Sequence, residues 1–436
     1  MRLMDFPGQR ITKHYFPVTH DAPVVEAKPH PGWYVVGLDQ LIVDMEVRAP
    51  ASFASDLGLV AGESVVLNDD AFRQLVARIK GEGFACCFAP GGTVANTLNN
   101  YAHLSGEPAV LLGAIPELLR PQDAAFHYVA QTPKAVRLDH LIALPGNIGT
   151  AITFVGPDGD RSFAVAPGNS NSYTDVHIPT EVVAGATAAL ASLYTLSDED
   201  APIAAATWRF LEVAKNADVP VAFGLGTAHL VRRMRDPLQR LLADYVSIAA
   251  MNAQEAEALT GMDDVLLASQ KILEWVDLVI ITQGRQGLTL GGFTDWARKR
   301  QTRQTVRSAS MPDYNRYEFS RLMRHRDCEK PLRIHTHIHP YQGGPEQLVN
   351  TSGAGDAALA ALLHDVAANR YHQENVPNSP KHPPGVHFLS YSSLSRSAQY
   401  GNRVAYEVLR GASPRLDGPV GSDRSKDRGD NRAVAR

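Results

Sequence analysis

The sequence predicts a doubly wound α/β fold, in which helices cover both faces of a mostly parallel sheet and a small antiparallel β flap lies over one end. From about Trp33 onward, short apolar runs rich in β-branched residues alternate with longer stretches rich in Ala and Leu, the pattern of βαβ units. Few of these runs alternate polar with apolar residues, as expected for strands buried on both faces. The clearest runs are residues 33–36, 109–112, 220–223, 245–248 and 277–281.

Two segments have a different pattern. Residues 41–48 alternate in polarity, and residues 148–166 contain a Pro-Asp-Gly-Asp turn at 157–160, which is typical of a hairpin. We therefore expect lid strands at about 41–49 and 148–167.

The domain boundaries follow from changes in composition. We expect an extension at 1–32 and one domain at 33–417. Polarity rises between about 292 and 347, which predicts an insertion rather than another βα unit. Residues 418–436 are rich in Ser, Asp, Arg and Gly, which predicts a disordered tail.

Composition argues against several classes of function. The 436 residues carry a formal charge of −4 and are 44% hydrophobic and 20% charged, which is ordinary for a chain that buries a large core. Nucleic-acid binding needs basic residues gathered on one face, so we expect no nucleic-acid partner. Three cysteines, two of them adjacent, match neither a disulfide framework nor a zinc site. No apolar run has the length of a signal peptide or a membrane span, so we expect a cytoplasmic protein without a membrane partner.

The strongest functional motif is a glycine-rich turn before an apolar helical run. Gly353, Ala354, Gly355 and Asp356 precede residues 357–363, which are all Ala or Leu. Such a helix start directs unpaired N–H groups and the positive end of the helix dipole to one point, where phosphate can bind. These N–H groups could stabilise a moving phosphoryl group, and Asp356 could accept the proton of an attacking hydroxyl. The alternative is a tight turn in which Asp356 only caps the helix.

A second glycine pair, Gly91 and Gly92, also leads into a run compatible with a helix, with Asn96 in its first turns. Glycine lets the backbone approach a ligand closely, and the Asn96 amide could bind hydroxyl groups. A plain turn followed by a helix cap is the alternative.

Two polar motifs follow buried runs. Asn252 and Glu255 are three residues apart, so on a helix they share a face and could organise a hydrated magnesium ion and phosphates. The alternative is a solvent-exposed helix start. Thr282, Gly284 and Gly287 follow the run 277–281, beyond the carboxyl end of a strand, where ligands of open parallel sheets bind. Here a simple hairpin turn is the alternative.

Together, and in this order, the four motifs resemble those of the PfkB or ribokinase-like carbohydrate and nucleoside kinases. The resemblance covers about residues 33–409. It implies a ribokinase-like fold with a β lid, ATP as co-substrate, Mg²⁺ held by Asn252 and Glu255 through water, and a monovalent cation such as K⁺. Asn350 stands where the family usually has Asp before Thr-x-Gly-Ala-Gly-Asp, so we expect an altered dependence on that cation.

The resemblance also implies roles for further residues. An acidic residue at the end of the first strand holds the sugar hydroxyls in this family, which indicates Asp44 or, as a second candidate, Asp39. Gly91, Gly92 and Asn96 would line the same pocket. Arg161 resembles a lid arginine that reaches the phosphates, with a solvent-facing hairpin residue as the alternative, and Asn402 resembles a residue near the adenine site.

Residues 6–8, 13–17, 317–321 and 343–346 resemble bacterial inosine-guanosine kinases within this family. This resemblance implies a purine nucleoside, phosphorylated on its ribose 5′-hydroxyl by ATP to IMP or GMP in purine salvage. The alternatives are a fructokinase- or ribokinase-like sugar kinase that uses the same phosphate site, and a nucleoside or nucleotide sensor without catalysis. The sequence leaves open whether the protein forms a homodimer.

Overall fold

The computed structural model describes residues 33–56, 58–59, 64–84, 86–121, 123–155, 161–346, 352–376 and 379–416. In these residues the predicted α/β fold, with a mostly parallel main sheet, is confirmed. The expected extension at 1–32, the tail at 418–436 and the turn at 157–160 lie outside the described residues.

The secondary structure begins with a strand and ends with a helix. In chain order the strands are β1 (Val35–Leu38), β2 (Ile42–Arg48), β3 (Ser64–Val66), β4 (Cys86–Pro90), β5 (Ala109–Pro116), β6 (Val136–Arg137), β7 (Leu141–Leu144), β8 (Gly149–Val155), β9 (Arg161–Ala166), β10 (Ala188–Ser192), β11 (Val221–Gly224), β12 (Ile248–Asn252), β13 (Leu278–Thr282), β14 (Leu288–Asp295) and β15 (Pro331–Ile338). The helices are α1 (Ala51–Asp56), α2 (Asp69–Gly81), α3 (Thr93–Ser105), α4 (Ala124–Gln131), α5 (Thr180–Ala184), α6 (Pro202–Asn216), α7 (Ala228–Arg233), α8 (Arg235–Tyr245), α9 (Ala253–Thr260), α10 (Val265–Ile272), α11 (Ala354–Asn375) and α12 (Leu394–Arg410).

The main sheet has the strand order β15-β14-β13-β12-β11-β10-β1-β5-β6, and β7 also pairs with β5. From β13 to β6 neighbouring strands run parallel, whereas β14 and β15 are added antiparallel at one edge. The strand order reverses at β1, which lies between β5 and β10. In open α/β sheets a ligand crevice forms at such a reversal, outside the carboxyl ends of the strands.

The main sheet is buried on both faces because successive side chains of its strands enter different cores. Val35 belongs to a core that also contains residues of α3, α11 and α12, whereas Val36 belongs to a core that contains residues of α6, α8 and α9, and neither residue is exposed. This double burial explains why the strand sequences are continuously apolar rather than alternating.

The second sheet has the order β3-β9-β8-β2-β4. The pairs β2–β4 and β8–β9 are antiparallel, whereas β2–β8 and β3–β9 are parallel. Along β2, Val43, Met45 and Val47 are buried, and the residues between them are partly exposed. The alternation in the sequence therefore identified a sheet with one solvated face.

Two sequence-based expectations are corrected by the structure. In the run 245–248, Tyr245 ends α8, because the Val246 N–H still bonds to the Leu242 carbonyl, and β12 begins only at Ile248. The segment 292–347, predicted as an insertion without regular structure, includes the end of β14 and all of β15, which pair with each other over eight residues and extend the main sheet.

Within the part of the chain that the structure describes, none of the helices combines the length and the apolar character needed to cross a lipid bilayer.

The crossing of α11 and α12 gives a prediction for stability. A Cβ placed on Gly401 would lie 3.3 Å from the Ala358 carbonyl oxygen and 3.6 Å from the Ala358 Cβ. We expect Gly401→Val to push the two helices apart and to lower the free energy of unfolding by about 1–3 kcal/mol, measured by urea denaturation. Gln399→Val, on the exposed face of α12, is the control, and equal unfolding midpoints for the two variants would contradict this account.

Candidate active site

A cleft of about 1820 Å³ lies between the carboxyl ends of the main-sheet strands and the second sheet. Its floor includes Asn252 at the end of β12 and Thr282 at the end of β13, and its walls include Asp44 and Glu46 of β2. The first residues of α3 and α11 also line it. Two helix N-termini therefore face the same space.

The start of α11 has the geometry expected from its sequence. Gly353 precedes the helix in the left-handed conformation (φ 81°), and the first helical bond joins the Ala357 N–H to the Gly353 carbonyl at 2.8 Å. The N–H groups of Ala354, Gly355 and Asp356 consequently have no acceptor within the helix. All three residues line the cleft, with Asp356 in the first turn.

The start of α3 is shaped by two carboxylates. Asp39, which is 2% exposed, accepts a bond from the Ala95 N–H at 2.9 Å and so caps the helix. A Cβ on Gly92 would lie 2.5 Å from Asp39 Oδ2, and one on Gly91 would lie 2.5 Å from the Asp44 carboxyl carbon. The glycine pair thus leaves room for both carboxylates.

The two acidic residues predicted to hold the sugar hydroxyls, Asp39 and Asp44, have different surroundings. Both line the cleft, but Asp39 is buried and bonded to the helix start, whereas Asp44 lies on the partly exposed side of β2. Asp44 is therefore the carboxylate that is better placed to contact a ligand.

The Asn96 side chain links the start of α3 to the start of α11 by hydrogen bonding. Its side-chain Nδ2 donates to Asp356 Oδ2 at 3.5 Å, and its Oδ1 accepts a bond from Arg415 Nε at 2.9 Å. Asn96 was predicted to line a ligand pocket, whereas Arg415 was not predicted to be part of the site. Arg415 belongs to none of the sequence motifs, so its place in the site is known only from its contact with Asn96 of α3.

Asn252 and Glu255 bond mainly to each other. The Glu255 carboxylate accepts from the Asn252 backbone N–H at 3.0 Å and from Asn252 Nδ2 at 2.6 Å, and the Glu255 N–H donates to Asn252 Oδ1 at 2.9 Å. This is a reciprocal capping box at the start of α9. Glu255 is only 5% exposed, so the alternative of a solvent-exposed helix start is wrong.

Three of the remaining predicted residues lie in the turn between β13 and β14. Thr282, Gly284 and Gly287 belong to a hairpin closed by a bond from the Gln283 N–H to the Gly287 carbonyl at 2.8 Å. The hairpin alternative is therefore correct, and all three residues also line the cleft.

Asn402 lines the cleft from α12 and donates to the His339 carbonyl at 2.5 Å. Arg161 begins β9, but its side chain is outside the described part of the structure, as is Asn350.

The carboxyl groups of the cleft have raised pKa values. The pKa of Asp356 is raised to about 8, mainly by burial; the bond from Asn96 opposes this rise, and repulsion from Asp39, Asp44 and Glu255 adds to it. Burial likewise raises the pKa values of Asp39 and Glu255, each to about 7. Burial therefore favours the protonated forms of these groups, and a bound cation or hydrogen-bond donor would favour their ionised forms.

The side chains at the floor of the cleft suit a cation that is bound mainly by a ligand and by water rather than by the protein. Among the described residues, no group of three or more His, Cys, Asp or Glu side chains is arranged to hold a metal ion. Magnesium commonly keeps several waters and binds one or two carboxylates together with substrate phosphates. Glu255 and Asn252 at the cleft floor fit such a hydrated ion, whereas an all-protein cage is not present in these residues.

The second sheet contributes an apolar wall to the cleft. Val66 of β3 is 67% exposed and Phe88 of β4 is 57% exposed, and both line the cleft with Phe163 and Val165 of β9. Large apolar side chains with this exposure mark a surface that binds a ligand or partner.

Residues 64–306 match the family described as pfkB family carbohydrate kinase. Guanosine-inosine kinase from Escherichia coli K12 is 44% identical over 419 residues, which cover 95% of this chain and 96% of that protein. The proteins of the same name from two further E. coli strains match equally well.

Solved structures of similar fold include adenosine kinase from Sinorhizobium meliloti, with a TM-score of 0.66 and 20% identity over 91% of this chain and 99% of that one. Adenosine kinase from Anopheles gambiae, in complex with P1,P4-di(adenosine-5) tetraphosphate, has a TM-score of 0.61 and 16% identity over 86% and 95% of the two chains. At these identities the likeness concerns the fold.

The raised pKa of Asp356 predicts how stability depends on pH. The folded-state pKa of about 8 exceeds the unfolded value of about 3.9, so the folded state binds the proton more tightly. This stabilisation is fully present below about pH 4 and is lost as the pH rises through about 8. Because Asn cannot ionise, we expect Asp356→Asn to melt at a higher temperature than wild type at pH 8.5, with the difference shrinking towards pH 5.

Calorimetry at both pH values measures this difference. Asp200→Asn, at an exposed position, is the control and should change neither melting temperature appreciably. A lower melting temperature of Asp356→Asn at pH 8.5 would contradict the electrostatic account.

Proposed function

The chain belongs to the pfkB family of carbohydrate kinases, and from this premise we propose that it transfers the γ-phosphate of ATP to the ribose 5′-hydroxyl of inosine or guanosine. As a member of this family it is a phosphotransferase with an alcohol acceptor. The name and the near-complete coverage of the E. coli relatives support a purine nucleoside as that acceptor, with IMP or GMP as product and a place in purine salvage.

The observation that carries the proposal is that the Asp356 carboxylate and the unpaired N–H groups at the start of α11 lie together at the cleft. Asp356 takes the proton of the 5′-hydroxyl while the hydroxyl oxygen forms a bond to the γ-phosphorus and the bond to the ADP oxygen breaks. The N–H groups at residues 353–355 stabilise the charge on the transferred phosphoryl group. Phosphoryl transfer depends mainly on such positioning and charge stabilisation, and α11 provides both from one turn.

The acceptor lies on the side of the second sheet. Asp44 binds the ribose hydroxyls, since its carboxylate lies beside the Gly91 backbone and lines the cleft. The purine base packs on the wall formed by Val66, Phe88 and Phe163. This wall supports a nucleoside over a free sugar, because a sugar has no flat apolar face of comparable size to cover it.

The nucleotide lies on the opposite side, along the strand ends. Thr282, Gly284 and Gly287 contact its phosphates or ribose, and Asn402 lies near the adenine. Glu255 and Asn252 hold hydrated Mg²⁺, which neutralises phosphate charge when it is bound. The resemblance to the family implies that Arg161 and a monovalent cation such as K⁺ contribute to the charge balance of the reaction.

The acceptor is tested by coupled ADP production with inosine, guanosine, adenosine, ribose and fructose side by side. We expect the highest kcat/KM with inosine or guanosine. Asp356→Asn should lower kcat by about 10²–10⁴-fold, the usual range for loss of a general base, while ATP binding measured by calorimetry is retained.

Each outcome of this panel has a clear meaning. Ribose or fructose well ahead of the nucleosides would make the protein a sugar kinase, and nucleoside binding without any ADP release would make it a sensor. Near-normal turnover by Asp356→Asn would remove Asp356 from the mechanism.

The apolar wall gives a separate prediction. Stacking of a base on an aromatic ring contributes about 1–3 kcal/mol, so Phe88→Ala should raise KM for the nucleoside by about 5- to 150-fold and leave KM for ATP within about twofold. Val65→Ala, on β3 but outside the cleft lining, is the control. An unchanged KM for the nucleoside in Phe88→Ala would exclude this wall as the base-binding surface.

A further inference from the structure

A short segment after α12 connects the two helix starts of the cleft. Residues 413–416, here called the C-terminal strap, bond to α3 through the Leu416 N–H, which donates to Asn100 Oδ1 at 2.8 Å. In return, Asn100 Nδ2 donates to the Pro414 carbonyl at 3.3 Å. A Cβ placed on Gly353 would lie 2.5 Å from the Pro414 Cβ, so the same segment also packs against the start of α11.

The strap places Arg415 behind the catalytic carboxylate. The guanidinium is buried, with the residue 6% exposed, and lies 5.4 Å from the centre of the Tyr128 ring. Its Nε donates to Asn96 Oδ1 at 2.9 Å, and its Nη2 donates to the Gly91 carbonyl at 3.2 Å. One side chain thus fixes both the glycine turn and the asparagine of α3.

The chemistry of arginine determines which way the Asn96 amide points. A guanidinium has only donors, so the atom of Asn96 that faces it must be the acceptor oxygen. The amide nitrogen must then face the other way, towards Asp356 Oδ2 at 3.5 Å. Without Arg415, the amide could turn over and present its oxygen to the carboxylate.

Charge supports the same conclusion. Two titratable groups are affected by the charge of Arg415, namely Asp39 at the end of β1 and Tyr128 of α4, and Asp39 in turn raises the pKa of Asp356. The positive charge of Arg415 opposes the effect of burial on Asp39 and on Tyr128. Without this charge, the pKa of Asp39 would be higher, because burial would be opposed by fewer favourable interactions.

We propose that Arg415 is a positioning residue for phosphoryl transfer, acting through Asn96 to hold the Asp356 carboxylate towards the acceptor hydroxyl. The role of Arg415 depends on the proposed function of Asp356 but not on which acceptor is used. A purely structural arginine would affect folding alone, whereas this arrangement couples Arg415 to the rate and to the ionisation of the base.

The test compares Arg415→Met and Arg415→Lys with Arg396→Met, an exposed position on α12 that serves as control. Each is assayed with whichever acceptor the wild-type protein phosphorylates best. We expect Arg415→Met to lower kcat by about 10- to 100-fold, to leave KM for ATP within about twofold, and to move the acidic limb of the kcat/KM profile to higher pH. Arg415→Lys should restore the pH profile, since an ammonium still donates to Asn96 Oδ1 and keeps the amide orientation, but only part of kcat, since it cannot reproduce both bonds.

A double-mutant cycle with Asn96→Ala tests whether the effect passes through Asn96. Coupled residues give non-additive effects, so Arg415→Lys should cost little further kcat once Asn96 is Ala. Additive losses, or a wild-type kcat and pH profile in Arg415→Met, would overturn the proposal. If Arg415→Met does not fold, the cycle with Arg415→Lys decides alone.

The acceptor panel keeps the two claims distinguishable. A sugar as the best substrate would overturn the proposed acceptor and leave the Arg415 test intact. Normal turnover of a nucleoside by all Arg415 variants would overturn only the role of Arg415.

Discussion

Burying several carboxyl groups in one cleft is the constraint on which this structure depends. Asp39, Asp44, Glu255 and Asp356 come from four different elements, and their mutual repulsion adds to the cost of burial at Asp356. The chain offsets this cost with donors: the Ala95 N–H for Asp39, the Asn252 backbone for Glu255 and the Asn96 amide for Asp356. Carboxylates that are maintained against such a penalty are characteristic of functional sites.

The fold supplies the donors because of where its strands and helices end. The carboxyl ends of β1, β12 and β13 meet at one edge of the main sheet, and the starts of α3 and α11 face that edge. The second sheet then encloses the same space with one apolar face. Its alternating strand β2 buries Val43 and Met45 on one side and presents Asp44 to the cleft on the other. A single strand thereby helps to form a core and a binding wall.

The sequence predicted those parts of the protein that are encoded locally. The glycine turn before α11, the glycine pair before α3 and the alternation of β2 are each visible in a few consecutive residues. The strands β14 and β15 were missed because their antiparallel pairing joins residues more than 30 positions apart, with a polar excursion between them. Arg415 was missed for the same reason, since its partners Asn96 and Gly91 lie more than 300 residues away. The role of Glu255 as a cap was also not predicted, because the pattern Asn-x-x-Glu serves equally for capping and for binding a hydrated ion.

The position of the strap in the chain has a consequence for biosynthesis. Because the strap follows α12, the ribosome produces it after every strand of both sheets and after both helices that it joins. Domains assemble as they emerge from the amino end, so the two sheets and α3 can associate while Asn96 still lacks its arginine. A nascent chain at that stage would have the acidic cleft without the guanidinium of Arg415, so the bonds that fix the glycine turn and the Asn96 amide would form only after the rest of the cleft has assembled.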